Sequence, residues 1–156
     1  MQKNNMDKIL VIGAGSWGTA FGNYLAVSKN RLVKLWVREP ELLEHIRTKH
    51  ENNLFLKDVT LSPFLSPVSD LETEAADADI LIWAVPSKYS RELFGKLKGI
   101  ADNKIIVNLT KGFESTSLKP ISQLAEEVLG PGVLENWITI TGPSFARELA
   151  AHHPTA

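Results

Sequence analysis

The sequence predicts an α/β fold, a doubly wound parallel sheet in one domain over residues 8–156, behind a disordered polar tail at residues 1–7. Three observations predict it. Short, wholly apolar runs recur along the chain. Each is followed by a stretch with apolar residues at helical spacing. The first run meets a glycine-rich loop that opens the first helical stretch.

Lys8 to Ile12 (KILVI) is the first run, and it ends at glycine. Ser16 to Ser28 follows as a helix, with Phe21, Tyr24 and Leu25 towards one side. Ser28 to Arg31 turns the chain into a second strand, Leu32 to Val37 (LVKLWV). Pro40 opens a helix to about Lys49, in which Leu42, Leu43 and Ile46 are apolar. Residues 51–69 are the least regular part, punctuated by Asn52-Asn53, Pro63 and Pro67, with one short strand at Val59 to Leu61. Leu71 to Ala78 reads as a short acidic helix. Asp79 to Val85 (DILIWAV) is the clearest buried strand, and Pro86 stops it. A helix over Ser90 to Leu97 and a strand over Lys104 to Leu109 (KIIVNL) come next. An amphipathic helix over Ser117 to Leu129 is closed by Gly130-Pro131-Gly132. A strand over Trp137 to Thr141 (WITIT) and a helix over Ser144 to Ala151 complete the alternation. Trp36, Trp83 and Trp137 lie on strands and read as core. The chain stops at His152-His153-Pro154-Thr155-Ala156 without a closing element, which reads as a truncation.

The glycine-rich loop is Gly13-Ala14-Gly15-Ser16-Trp17-Gly18, a G-x-G-x-x-G pattern between a strand and a helix. In that setting the first glycine makes a tight turn and the second lets the backbone approach a pyrophosphate. The third lets the helix pack closely, and the helix N-terminus faces the phosphates. This is the Rossmann arrangement for a dinucleotide. Ser16 stands where a residue caps the helix and lines the phosphate site. Trp17 reads as packing against the sheet edge.

Cofactor choice falls to the end of the second strand, where Asp or Glu commonly binds the ribose hydroxyls. Here the order is Trp36-Val37-Arg38-Glu39. A guanidinium at this place suits a 2′-phosphate, which favours NADPH and leaves NADH admissible. Glu39 directly after it is the competing ribose ligand. The remaining strand ends carry Val85-Pro86-Ser87-Lys88-Tyr89, Thr110-Lys111-Gly112 and Thr141-Gly142-Pro143-Ser144. All should share one edge with the glycine loop. Tyr89 is placed to meet a ribose or nicotinamide face. Lys111 is placed to reach into a cleft, and Gly142 and Ser144 to approach an oxyanion or carbonyl.

Composition excludes other classes. The formal net charge is −1, so there is no basic field for nucleic acid. There is no cysteine, which rules out disulfides and thiolate chemistry. The longest apolar run, Ile80 to Val85, is too short to span a bilayer, and residues 1–8 lack a signal-peptide core. A cytoplasmic location follows as the default. His45, His50, His152 and His153 share no metal-ligand spacing, so no metal is expected.

Taken together, GAGSWGTA (Gly13 to Ala20), LWVREP (Leu35 to Pro40), WAVPS (Trp83 to Ser87), NLTKGFE (Asn108 to Glu114) and TGPSFARELA (Thr141 to Ala150) resemble the bacterial-type NAD(P)-dependent glycerol-3-phosphate dehydrogenase family. The likeness runs from about Lys8 to the end. The loop tryptophan, T-K-G-x-E and G-P-S-F-A are its specific parts. The resemblance implies reversible hydride transfer between NAD(P)H and dihydroxyacetone phosphate, giving sn-glycerol 3-phosphate for phospholipid synthesis. It makes Ser16, Trp17, Arg38, Tyr89, Lys111 and Ala146 cofactor contacts, beside Gly13, Gly15 and Gly18. It makes Lys111, Gly142 and Ser144 substrate contacts. It puts the general acid/base and the substrate-phosphate ligands in a C-terminal all-helical domain of the same chain. No catalytic residue is therefore expected here, and the fragment alone should be inactive. Apolar surface is expected where that domain docks, and a homodimer stays open. The turn Ser28-Lys29-Asn30-Arg31 departs from the family's usual N-G-H-like turn, away from the site. Two other readings remain. One is another two-domain reductase of the ketopantoate or 6-phosphogluconate type. The other is a non-enzymatic NAD(P)H-binding module.

Overall fold

The structure, a computed structural model, describes residues 7–153. The tail expected at residues 1–7 lies, apart from Asp7, outside the described residues. The centre is β1 (Ile9–Ile12), every residue of which is buried. It pairs in parallel with β2 (Val33–Trp36) on one side and β6 (Ile80–Trp83) on the other. With β5 (Leu65–Val68), β7 (Ile105–Asn108) and β8 (Trp137–Thr139) these form a six-stranded sheet in the order β5-β2-β1-β6-β7-β8. Every pairing in it is parallel, and the order reverses at β1, as the doubly wound expectation requires.

Side chains alternate across the sheet and divide the core into two layers. Leu10, Ile12, Leu81, Trp83 and Ile106 pack under α3 (Leu71–Asp77), α4 (Ser87–Lys96) and α5 (Ile121–Leu129). Ile9, Val11, Val33, Leu35 and Ile82 pack under α1 (Ser16–Lys29) and α2 (Pro40–Lys49). Trp83 stacks on Phe94 with ring centroids 4.0 Å apart, and its Nε1 donates to Ser90 Oγ at 3.1 Å. The indole is thus buried without an orphaned donor. Truncating an aromatic in such a place costs about 3–5 kcal/mol.

The helix ends follow local chemistry. Asn30 and His50 close α1 and α2 in the left-handed conformation, with φ of 45° and 52°. The Asp70 carboxylate accepts the Thr73 N–H at 3.1 Å and caps α3. Among the described residues no helix is long and apolar enough to cross a membrane.

Four expectations are corrected. Residues 51–69 hold three strands rather than one. The short β3 (Glu51–Asn52) and β4 (Leu56–Thr60) form a separate antiparallel hairpin, and β5 joins the main sheet. Pro67 hid β5, but it sits opposite Leu35 on an edge strand, where a missing N–H is tolerated. Next, α4 begins at Ser87, directly after Pro86, and not at Ser90. Third, α5 begins at Ile121 rather than Ser117, because Pro120 keeps the residue before it out of the helical region and Leu118 stands at φ 56°. Last, the final strand and helix are shorter than expected, β8 ending at Thr139 and α6 (Ala146–Ala150) starting at Ala146, while a 3-10 turn fills Pro131–Asn136.

Candidate functional site

Sheet register sets the site. It aligns Ile12, Trp36, Trp83 and Asn108 across four neighbouring strands. The loops after these residues emerge along one carboxyl edge, as predicted. Gly13 turns with φ +113°, and a Cβ there would lie 2.6 Å from the Ala84 carbonyl oxygen. A Cβ on Gly18 would lie 2.1 Å from the Gly13 carbonyl oxygen and 2.9 Å from Ala84 Cβ. Both glycines are therefore demanded by the packing of α1 on β1 and β6. Gly15 differs, because a Cβ there would meet nothing within 4 Å. Packing does not require that glycine, and the space in front of the loop is open.

Gly15, not Ser16, is the N-cap of α1, and no side chain caps it. Ser16 is the first helical residue, which corrects its expected capping role. The first-turn N–H groups stay available to an outside acceptor. A cleft of about 400 Å³ opens in front of them. Gly13, Gly15 and Ser16 line one side, Arg38 and Glu39 the end of β2, and Pro86, Lys88 and Tyr89 the start of α4. Its size and mostly apolar walls suit a nucleotide.

Arg38 lies over Tyr89, its Cζ 4.8 Å from the ring centroid, and Lys88 Nζ is 4.7 Å from the same centroid. Arg38 also donates from Nε and Nη2 to Glu39 Oε1, at 3.1 and 2.8 Å. Tyr89 first and Glu39 second hold the guanidinium above its ordinary pKa. Lys88 first and Arg38 second push the Tyr89 hydroxyl below its own. Tyr89 is thus seated against Arg38, and the cleft collects two cations and one carboxylate at that end.

The other expected residues form a second cluster. Lys111 Nζ donates to the Gly142 carbonyl at 2.9 Å. Together with Trp17, Thr141 and Ser144 it lines a hollow of about 160 Å³. Among the described residues lining it, Lys111 is the only one with an ionisable side chain. Trp17 faces this hollow and packs on Phe21. Ala146 is not brought to either cleft; it packs behind α1 with Ala20, Leu56 and Leu149. Thr110 Oγ1 donates to the Val85 carbonyl at 2.7 Å and ties the two strand ends together.

Sequence reasoning missed three contributors. Phe55 and Lys88 line the cleft in front of α1, and Asn52 reaches the glycine loop from the hairpin. Lys88 stood in a strand-end segment without a role of its own, and Phe55 and Asn52 carry no periodic or spacing signal. It also missed why Glu114 follows Lys111. The buried Glu114 accepts from Arg91 Nε and Nη2 at 2.7 and 2.8 Å. Arg91 first and Ser117 second depress its pKa to about 2. That ion pair anchors the loop bearing Lys111 to α4.

Comparison with known proteins agrees with this geometry. The family described as NAD-dependent glycerol-3-phosphate dehydrogenase N-terminus matches residues 8–156. The chain is 39% identical over 148 residues to glycerol-3-phosphate dehydrogenase (NAD(P)+) of Pseudomonas aeruginosa, covering 95% of this chain and 42% of that protein. It is 40% identical over 151 residues to the enzyme of the same name from Geobacter metallireducens, covering 96% of this chain and 45% of that protein. The solved glycerol-3-phosphate dehydrogenase of Coxiella burnetii superposes with a TM-score of 0.83 at 30% identity, over 96% of this chain and 45% of that one. The chain spans less than half the length of these relatives. Since the match takes in all but the first seven residues, the protein belongs to the NAD-dependent glycerol-3-phosphate dehydrogenase family, through the part that forms its N-terminus.

Proposed function

We propose that this chain holds the nicotinamide cofactor of an NAD(P)-dependent glycerol-3-phosphate dehydrogenase that interconverts dihydroxyacetone phosphate and sn-glycerol 3-phosphate for glycerophospholipid synthesis. The observation that carries the reading is the contrast among the loop glycines. Two are forced by internal packing, while Gly15 fronts open space at the uncapped start of α1. A turn with no ligand has no need of the second glycine, Gly15.

When bound, the nicotinamide supplies the hydride to the substrate carbonyl carbon or takes it back. The chain's own residues bind and orient. The first-turn N–H groups of α1 take the diphosphate. Arg38 takes a 2′-phosphate, so NADPH is preferred and NADH is tolerated. Tyr89 supports the Arg38 guanidinium and offers its ring to the nucleotide. Lys111 holds a substrate oxygen and so aims the carbonyl, while Gly142 and Ser144 bound the same hollow. The proton donor and the substrate-phosphate ligands belong to the further length that the relatives have.

The test is a titration of NADPH into the chain, followed by an assay of NADPH oxidation with dihydroxyacetone phosphate. Saturable binding without turnover is expected, because loss of a general acid alone removes about 10²–10⁴ in rate. Failure to bind NADPH overturns the reading. Clear turnover moves the acid into these residues, with Lys111 in that role.

A further inference from the structure

Asn52 lies on the hairpin, outside the main sheet, yet its side chain is fully buried. Its Nδ2 donates to the Ala14 carbonyl at 2.9 Å and to Thr19 Oγ1 at 2.8 Å. Its Oδ1 accepts the Phe55 N–H at 2.9 Å. Thr19 Oγ1 donates to the same Ala14 carbonyl at 3.2 Å. An amide so deep and so fully used costs several side-chain conformations and is not needed to hold a two-stranded hairpin.

The Ala14 carbonyl and the Gly15 N–H belong to one planar trans peptide and point in opposite directions. Drawing the carbonyl inward to Asn52 turns the Gly15 N–H away from Asn52, in a residue that lines the cleft in front of α1. We propose that Asn52 is a positioning residue for the nucleotide loop, holding the Ala14–Gly15 peptide so that the Gly15 N–H is presented to a cofactor phosphate. Through Phe55, which it also fixes, the hairpin joins the loop to the cleft wall. The inference rests on the cofactor reading above for the identity of the ligand, but not for the orientation of the peptide.

The test compares three variants of the chain. Asn52→Ala removes all three bonds. Asn52→Asp keeps an acceptor for the Phe55 N–H and replaces the donor with a second oxygen, so the turn of the hairpin keeps its bond where the alanine variant does not fold. Leu124→Ala on α5 is a destabilised control far from the loop. Amide NMR signals of Gly15 and Ser16 are read without cofactor, and then NADPH affinity is measured. Both Asn52 variants should move or broaden those signals and weaken NADPH binding by about tenfold or more, the loss of one well-aligned bond. The control should lose melting temperature and leave both readouts in place. Unmoved loop signals in the Asn52 variants overturn the proposal. So does an affinity loss that tracks melting temperature equally in all three. If the unaltered chain binds no NADPH, the cofactor reading fails, and the loop signals alone decide the role of Asn52.

Discussion

The nucleotide cleft and the Lys111 hollow lie along the same carboxyl edge but are built in different ways. The first rests on β1 and β6, the most deeply paired strands, and its loop is squeezed between Ala84 and α1 until only glycine fits. The second rests on β7 and the edge strand β8, and one hydrogen bond from an exposed lysine spans it. The difference teaches where this fold keeps its precision. Backbone recognition of a phosphate needs a rigid, pre-formed cradle, and the sheet interior supplies it. A hollow on exposed loops, spanned by a single bond, is less firmly set.

The largest test of that contrast is at Gly18. Its missing Cβ would stand 2.1 Å from a backbone oxygen, so Gly18→Ala must displace the loop. A stability loss at the upper end of about 1–3 kcal/mol is expected. NADPH affinity should fall roughly 100-fold. Thermal melting and a cofactor titration measure both. Gly15→Ala should keep the melting temperature and lose only affinity. Equal stability losses at the two sites would mean that the cradle is not selectively strained.

Next comes Arg38. Arg38→Ala should lower the NADPH-to-NADH affinity ratio by roughly 10- to 100-fold, the worth of one charge-assisted contact. An unchanged ratio would pass the cofactor choice to Glu39, whose carboxylate Arg38 now engages.

A smaller and differently placed effect is expected at Lys111. Lys111→Ala should leave NADPH affinity within about twofold, since the residue lies outside the main cleft. In a protein of the relatives' full length, kcat/KM for dihydroxyacetone phosphate should fall at least about tenfold. Both limbs of the pH–rate profile should survive. Loss of one limb would make Lys111 the acid and move the chemistry into this half.

How legible was all this in the sequence? β1 and β6 were, because strands covered on both faces are apolar throughout, and β7 was, because its first three residues are apolar. The glycine loop was, because its chemistry is local. The joining of Lys111 to Gly142, 31 residues apart, followed from the rule that strand ends share an edge. The hairpin was not legible, since along β4 only Leu56 is buried and no alternation marks it. Asn52 was read as punctuation because its partner, Ala14, is 38 residues away and is a backbone atom, which leaves no pattern. Ser16 was misassigned by a single position, since the open glycine before it takes the cap.

The smallest effect concerns the anchor beneath the Lys111 loop. The folded pKa of Glu114, about 2, lies below its ordinary 4.5. Its contribution to stability is therefore complete above pH 4.5 and disappears as pH falls from there towards 2. The Glu114→Gln variant should flatten that part of the melting curve against pH, with roughly 1–3 kcal/mol lost at neutral pH. NADPH binding at pH 7 should not change. A parallel loss of binding would tie the two clefts together more tightly than their separate foundations imply.

Pro67 on β5 has a consequence for how the molecule behaves in solution. A proline in an outermost strand removes a donor that a stranger's backbone would need, so that flank of the sheet refuses new strands. Among the described residues the opposite flank has no such guard. Among the described residues no strand pairs with the outer side of β8, Trp137 to Thr139, and Ile138 is 52% exposed. Unwanted growth of the sheet by stacking of copies thus has one open door. A single lysine or proline on the outer side of β8 should raise solubility at high concentration.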